Sequence, residues 1–502
     1  MSVDERRETF HVNRIASSDL DERLLAQAYR PDLVAAVRTL VMKGAKPLSS
    51  ALDGRLTQGR TPEYGDDGEA CIKTRNIVGG LVDTSRVDRV SSKFASNNRD
   101  SCISNETVLM NRSGAGSIGR VSIYLGAIGV FTNEELFRFR VVAPHDPAFI
   151  TMFFGTSLGE RVLERGVNGS TGQLKLVQEH VESVPILLPH PAAQRYIGDK
   201  VRQAERLRER ARRLEAEFCN AVAVALPSTS ATAGKTSRVE TSELGRNLNP
   251  GAYTPDRRAV RAAIRGAGGR SLDTFAGVES PTTDSYIRTT AYLGLDAIDS
   301  ATCRLKPSTA EAEAVVGTAR LLREGPALSR LRPYLNKVTY IPPSLAGGIG
   351  STELLLVRPK AGVNGWFLYG VLKLESSVRQ LNPVANGSTH PRVNREDVLD
   401  LLVPWRDDHE ALGAKLQTAQ TCYFASSALT ATATALVERL IDGRITEADV
   451  VVAQKALDGG DRSADREILM ALRRSDAPDG KLIISDIDIL YPLLDESEDN
   501  DA

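Results

Sequence analysis

Asn168-Gly169-Ser170-Thr171 and Asn386-Gly387-Ser388-Thr389 are the same four residues at two places in one chain. A match this short carries nothing alone, so the flanking sequence decides. Downstream, Glu179-His180-Val181 leading into Ile186-Leu187-Leu188-Pro189 returns as Glu396-Asp397-Val398 leading into Leu401-Leu402-Val403-Pro404. Upstream, Arg120-Val121 with Ile123 returns as Lys337-Val338 with Tyr340. Thr61-Pro62 with Ile72-Lys73-Thr74 returns as Ser280-Pro281 with Ile287-Arg288-Thr289. Earlier still, Ser18-Asp19-Leu20 and Ala28-Tyr29-Arg30-Pro31 match Ser242-Glu243-Leu244 and Ala252-Tyr253-Thr254-Pro255. The matches keep their order, and the offset drifts only from 224 (Ser18 to Ser242) to 215 (Pro189 to Pro404). Collinear matches of this kind mean duplication, which sets the architecture before any element is assigned.

Each copy closes on a long helical stretch. In the first, Ala204, Leu207, Ala211, Leu214, Phe218, Ala221 and Ala225 recur at spacings of three and four. In the second, Ala419, Cys422, Ser426, Leu429, Ala433, Leu436 and Leu440 stand 215 positions on. This is the a/d seam of a coiled coil, and no proline interrupts either stretch. Small residues dominate the second seam, so a partner can approach closely while little is buried. The expectation is that the two helices pack on each other; the alternative is that each packs on its own globular half.

The fold class that follows is α+β. Two tandem mixed α/β domains are each followed by a long helix, the helices pair as an antiparallel coiled coil, and a small helical extension ends the chain. The boundaries are 1–16 for an N-terminal segment, 17–189 for the first domain and 190–226 for its helix. A Ser/Thr/Ala-rich linker at 227–240 leads to the second domain at 241–405, its helix at 406–444 and the extension at 445–502. Within the domains, β-branched runs such as Gly119–Val130 and Glu353–Pro359 read as strands. The extension reads as helices Thr446–Leu457 and Asp465–Arg474, followed by Ile483–Leu494. The acidic run from Asp495 to Asp501 reads as a solvated end rather than a docking element.

Bulk composition excludes more than it selects. Net charge is −1, so a nucleic-acid function needs local basic faces rather than a basic whole. No apolar run is long enough to span a membrane, and the opening Met1–Val12 is charged, without the apolar core of a signal peptide. The five cysteines, Cys71, Cys102, Cys219, Cys303 and Cys422, stand singly. That pattern suits reduced thiols in a cytoplasmic protein and argues against a disulfide framework or a zinc site. The histidines show no metal spacing either.

Chemistry-bearing motifs fail on context. Gly114-Ala115-Gly116-Ser117-Ile118-Gly119 fits the dinucleotide fingerprint, with Glu134 and Glu135 about twenty residues on. The last glycine, however, opens Arg120-Val-Ser-Ile-Tyr-Leu, a strand rather than a helix, so a hairpin turn is expected. Gly234-Lys235-Thr236 resembles the end of a phosphate-binding loop, but Thr229 stands where the earlier glycine is required, so it reads as linker. The nearest approach to an amino-methyltransferase motif, Ile341-Pro342-Pro343-Ser344, has the wrong first and last residues. No catalytic residue, cofactor or metal is expected.

Residue types that hold phosphates or read base edges recur in both copies. The first copy offers Lys73, Thr74, Arg75 and Asn76, then Arg112, Ser117 and Arg120, then Asn168, Ser170, Thr171, Gln173 and Lys175. The second offers Arg288 and Thr289, then Arg330, Arg332, Tyr334 and Lys337, then Asn386, Ser388, Thr389, His390 and Arg392. Singly, each is an ordinary surface group. Their recurrence in turns, in the same order, singles them out. The arginine-rich stretch Arg195–Arg213 reads as a solvated helix face.

A duplicated unit of this kind resembles the specificity subunits of type I restriction–modification systems. The strings that carry the resemblance are Gly59-Arg60-Thr61-Pro62, then Val108-Leu109 through Gly116-Ser117-Ile118-Gly119-Arg120-Val121, then Asn168-Gly169-Ser170-Thr171. Val181 to Pro189 and the helix-opening Ala193-Gln194-Arg195-Tyr196-Ile197 follow. In the second copy, Leu328 to Pro333 and Gly387-Ser388-Thr389-His390-Pro391-Arg392 correspond. The resemblance covers roughly residues 17–442. The second copy departs from it by lacking the Gly-Ser-Ile-Gly turn and the Gln at its helix opening, where His409-Glu410-Ala411 stands, and the extension lies outside the pattern. It implies two target-recognition domains on double-stranded DNA, one per half-site, and no catalysis by this chain. It also implies a helical coil that docks modification (methyltransferase) subunits, two in number, which bind S-adenosylmethionine and flip the adenine, with a separate motor-nuclease subunit in the complex. The coil interface would comprise Ala204, Leu207, Ala211, Leu214 and Phe218 against Ala419, Leu429, Ala433, Leu436 and Leu440. The other reading is a recognition subunit in another methyltransferase-associated phage-defence complex.

Overall fold

The computed structural model describes residues 14–17, 20, 25–114, 116–126, 129–169, 174–228, 238–241, 244, 248–287, 291–306, 310–311, 317–475 and 487–498. They fall into two compact units. One holds the described residues up to Leu207 together with those from Ala425 onward; the other holds Arg208–Phe424.

In the first unit, helix α1 (Pro31–Met42) starts on a proline in its first turn, where a missing N–H costs nothing, with Asp32 beside it. The central sheet follows. Its strands are β1 (Thr57–Gln58), β2 (Gly80–Leu81), β3 (Thr107–Asn111), β4 (Val121–Tyr124) and β5 (Leu136–Phe139), in the order β1-β5-β3-β4-β2. Every residue of β3 and β4 is buried, Thr107, Asn111 and Ser122 included, so both faces of these strands are covered. Helix α2 (Pro147–Phe154) is likewise buried along its whole length and packs on β3 and β4. Asp146 caps it, its carboxylate accepting from the N–H groups of Ala148 and Phe149 at 2.8 and 3.0 Å. Helix α3 (Ser157–Glu164) follows. A two-residue pair, β6 (Val167–Asn168) with β7 (Lys175–Leu176), comes next, then the long helix α4 (Pro191–Ala221).

The second unit repeats this plan residue for residue at its centre. After helix α5 (Pro255–Gly266) come β8 (Ala276–Glu279), β9 (Gly325–Ser329), β10 (Val338–Ile341) and β11 (Leu354–Pro359), in the order β8-β11-β9-β10. Met110 lies opposite Val121 and Phe137 in the first sheet; Leu328 lies opposite Val338 and Leu355 in the second. The apolar helix α6 (Gly365–Leu372) occupies the place of α2, capped by Asn364, and α7 (Glu375–Leu381) that of α3. Helix α8 (His409–Asp442) closes the copy.

The two N-caps meet the long helices in the same way. A Cβ added at Gly198 of α4 would overlap the Asp146 carboxylate, and one at Gly413 of α8 would overlap the Asn364 amide. The glycines are 215 positions apart, like the seam residues. Each lets the capped end of a buried helix sit directly on a long helix backbone.

The second half of α4 joins the second unit's core. Phe218 and Val222 share a cluster with Leu412 and Leu416 of α8 and with Phe367 of α6, whose ring meets Phe218 edge-on at 5.8 Å. Lys415 Nζ pairs with Glu217 in the same place. In the first unit, the second half of α8 reaches α2 and α3. Thr434 Oγ1 lies 3.7 Å from Met152 Sδ, and the Ser157 N–H donates to Glu438 Oε1 at 3.1 Å.

The extension forms three helices in the first unit, α9 (Glu447–Asp458), α10 (Ser463–Ser475) and α11 (Ile487–Glu498). Thr446 and Asp449 make a capping box at the start of α9. The first long helix ends at Ala221, so Ala225 lies beyond it and is exposed. The β-branched Val222 and Val224 and then Pro227 explain the early stop. No helix among the described residues is long and apolar enough to cross a membrane.

Candidate nucleic-acid interface

In the first unit, the turn between β3 and β4 runs from Arg112 to Arg120. It is a hairpin turn, with Gly114, Gly116 and Gly119 at φ 113°, 67° and 77°, values a side chain disfavours. Arg112 is fixed by its backbone: its N–H donates to the Glu135 carbonyl at 3.0 Å and its carbonyl accepts from the Leu176 N–H at 2.8 Å. Its guanidinium lies 5.8 Å from the Phe137 ring centre. Ser113 pairs with Lys175, which brings the β6–β7 pair against this turn. The Glu135 carboxylate holds both, accepting from Ser113 Oγ and lying 3.5 Å from Lys175 Nζ.

In the second unit, the turn between β9 and β10 runs from Arg330 to Lys337 and carries the same bonds. The Arg330 N–H donates to the Glu353 carbonyl at 2.8 Å, and the Arg330 carbonyl accepts from the Val393 N–H at 3.0 Å. Leu331 pairs with Arg392, which brings the late loop against the turn. Asn386 and Arg392 exchange both backbone bonds at 2.9 and 2.8 Å, closing a loop whose tip, Gly387 to His390, is exposed. Glu353 is the counterpart of Glu135. Its carboxylate takes Arg392 through Nη2 and Nε at 2.6 and 3.0 Å and lies 3.7 Å from Arg330 Nε.

Each unit thus presents a basic turn beside a late pairing segment, with a carboxylate at the start of the next strand: Glu135 holds Lys175 in the first unit, and Glu353 holds Arg392 and approaches Arg330 in the second. The Glu353 carboxylate holds the Arg392 guanidinium charge above its ordinary range. Sequence reasoning missed both glutamates as site residues. The available signal was their spacing of 218 (Glu135 to Glu353), the same as from Arg112 to Arg330.

The early candidates form a second cluster in the first unit. Lys73 Nζ lies 3.9 Å from the Tyr64 ring centre and pairs with Asp88, which also takes Arg75. The hydrogen bond from Lys73, then that from Arg75, holds the Asp88 carboxyl below its usual range against the opposing effect of burial. Asn111 Nδ2 joins this cluster to the hairpin turn, donating to the Thr74 and Ser117 carbonyls at 3.2 and 3.1 Å.

Two candidates need correction. Asn76 is 2% exposed. Its amide donates to the Asp83 and Arg86 carbonyls at 2.9 and 2.8 Å, and its Oδ1 accepts from the Lys73 N–H. It clamps the turn and has no donor left for a base edge. Lys337 turns inward to the Ile298 carbonyl, and burial lowers its pKa. Of the others, Arg75, Arg120, Ser388, Thr389 and His390 are exposed, while Ser117 and Asn168 are half-buried. Arg120 donates to the Gly116 carbonyl at 2.9 Å, and Asn386 Oδ1 accepts from Asn249 at 3.1 Å. Ser170, Thr171, Gln173, Arg288 and Thr289 lie outside the described residues, as does Gly234-Lys235-Thr236.

Along the long helices, Ala204, Leu207, Ala211 and Phe218 are buried, as are Ala419, Leu429, Ala433 and Leu436. Leu214 and Leu440 are half-buried. Among the described residues, no group of three or more His, Cys, Asp or Glu is placed to hold a metal ion.

No protein-family model and no curated protein matches the chain. Solved structures do. The type I restriction–modification S subunit from M. genitalium is similar with a TM-score of 0.36 and 13% identity, covering 85% of this chain and 95% of that one. The HsdS subunit from Thermoanaerobacter tengcongensis is similar with a TM-score of 0.25 and 12% identity, covering 80% and 96%. A structure described as the basis of complex assembly and conformational transition of the type I R-M system gives 0.24 and 13%, covering 81% and 96%.

Proposed function

We propose that this chain is the DNA-sequence-recognition subunit of a type I restriction–modification complex, reading a bipartite site with one half-site per copy. The observation that supports it most directly is the repeated site. The same backbone bonds set Arg112 against Leu176 and Arg330 against Val393, so two basic turn-and-loop surfaces are built alike on one chain. Two linked readers of modest affinity give a tight, selective whole. Cations such as Arg75, Arg120 and Arg392 would meet phosphates and fix the register, while amides such as Asn168 and Asn386 would contact base edges.

In this reading, α4 and α8 pair as an antiparallel coil. The Glu217–Lys415 pair and the shared packing of Phe218 with Leu416 support it. Modification subunits dock along the coil and supply methyl transfer; a motor-nuclease subunit joins through the complex. This chain contributes recognition and no catalytic group. The test is to purify the full chain with its co-purifying partners and select preferred sites from a random DNA library. A two-part site, with methylation only when a methyltransferase is present, is expected. Robust methyl incorporation by the homogeneous chain, or no sequence preference in the folded complex, refutes the assignment.

A recognition subunit in another methyltransferase-associated defence complex is the second reading. Helices α9–α11, held to α4 by Asp465, favour it. The identity of the co-purifying subunits separates the two.

A further inference from the structure

The two hairpin turns differ in one respect. The first reverses the chain with glycines. The second makes the equivalent reversal with Arg332 at φ 49° and Asn336 at φ 47°, both left-handed, on either side of the short turn Pro333–Leu335. Asparagine tolerates that region; for arginine it costs conformational energy that the surroundings must supply. They do so at several points. The Arg332 N–H donates to the Pro391 carbonyl at 2.7 Å and the Leu335 N–H to the Arg332 carbonyl at 2.9 Å. The Asn336 amide donates to the Lys373 carbonyl at 2.9 Å, and Pro333 is buried beneath.

The outcome of this anchoring is an apolar tip. Tyr334 is 50% exposed and Leu335 37%. Arg330 and Arg332 flank the tip on the same turn, and Arg392 joins it through the Leu331–Arg392 pairing. A backbone held in a costly conformation that leaves an aromatic half exposed and a leucine partly so, on the turn that carries Arg330 and Arg332, is built for something outside the chain. An apolar protein groove would cover the tip but leave the guanidinium groups beside it without anionic partners. A nucleic-acid duplex satisfies both, with phosphates for the arginines and a base stack for the tip.

We propose that Tyr334 and Leu335 form a wedge that enters a base step of the duplex bound by the second copy, with Tyr334 stacking on an exposed base face. Because the loop is already ordered, little entropy is lost on insertion. The first copy carries no aromatic residue in its turn, so the two half-sites would be read by different means, the first by surface contact and the second by local unstacking. This rests on the DNA-recognition reading above.

The test uses the full chain with its co-purifying partners and DNA carrying 2-aminopurine at successive steps of the second half-site. Affinity is measured across a salt series. The parent should brighten the probe at one step; Tyr334→Phe should keep that signal. Tyr334→Ala should lose it and weaken binding roughly 5- to 150-fold, the range for one base–aromatic stack, with the salt dependence unchanged. Arg330→Ala should instead reduce the salt dependence. A Tyr334→Ala protein that binds selected DNA like the parent, with the same probe signal, overturns the wedge and leaves DNA recognition standing. A folded parent that selects no DNA sequence overturns both.

Discussion

Lys200 Nζ lies 2.6 Å from Asp465 Oδ1, with the two side chains only 3% and 2% exposed. The Tyr196 hydroxyl donates to the same oxygen at 2.6 Å and the Tyr491 hydroxyl to Oδ2 at 2.9 Å. One carboxylate on α10 thus gathers two donors from α4 and one from α11. Burial, and then the nearby carboxylate, raise both tyrosines well above their ordinary pKa, so they remain donors across the physiological range. Asp465→Ala would leave the Lys200 ammonium and the Tyr196 hydroxyl buried without their acceptor, and the half-buried Tyr491 hydroxyl without its own. Removing one partner of a buried pair costs about 3–5 kcal/mol. Limited proteolysis and amide exchange should show α9–α11 opening before the rest of the first unit. Parent-like protection of those helices in the variant would mean that the carboxylate does not hold the extension.

Gly413→Ala and Gly198→Ala form a second test, in which two effects oppose. Helix propensity alone favours alanine over glycine by about 1 kcal/mol. Here the added methyl must displace Asn364, whose Oδ1 caps α6 at 3.0 Å from the Phe367 N–H and whose Nδ2 donates to Glu410 at 2.8 Å. Displacing a cap costs about 1 kcal/mol, and overpacking a buried contact a further ~1–3 kcal/mol. The clash wins. Both variants should melt below the parent in calorimetry; a rise in Tm at either position would show that the cap relaxes freely.

The duplication made much of this legible. Once Asn168 and Asn386 are aligned, the strand pairs and apolar helices of one copy predict those of the other. Seam residues such as Leu207 and Leu436 were visible from spacing because helical period is a property of the chain alone. What stayed hidden depends on partners brought from afar. Asn76 has the residue type of a base reader, but its amide is consumed by Asp83 and Arg86 in its own turn. Glu135 and Glu353 look like ordinary surface acids until folding sets them beneath Lys175 and Arg392. Asp465 reads only as the start of a helix. Its role depends on Tyr196, 269 positions away.

Glu353 should act as a brake on DNA binding. It competes with phosphate for Arg392 and, at longer range, for Arg330. Glu353→Gln removes the charge while keeping the shape. Each additional phosphate contact steepens the dependence of log K on log salt by about 0.9, so a slope greater by about one to two is expected, with stronger binding to non-specific DNA. Selectivity for the preferred site should fall, because the carboxylate also orients the guanidinium. Arg392→Ala and, in the first unit, Lys175→Ala should weaken binding. Salt titrations by anisotropy decide it. An unchanged slope in Glu353→Gln would place this loop off the DNA.

The two copies should read their half-sites independently. In the first unit the hairpin turn, the β6–β7 pair and Glu135 are all joined by bonds within residues 107–176. In the second, the corresponding bonds lie within 325–393. Each site is thus built within its own unit, so each should carry its specificity with its own segment. Replacing residues 55–189 by the same segment of a similar specificity subunit keeps the α4 and α8 seams intact. Site selection from a random library should then return a site with one half changed and the other half and the spacer unchanged. Thermal melting of the chimera checks that the unit still folds. If both halves change in a folded chimera, the copies are coupled and the site is read as one surface. If neither changes, the recognition residues of the first copy lie outside 55–189, and Arg112, Arg120 and Lys175 are not among them.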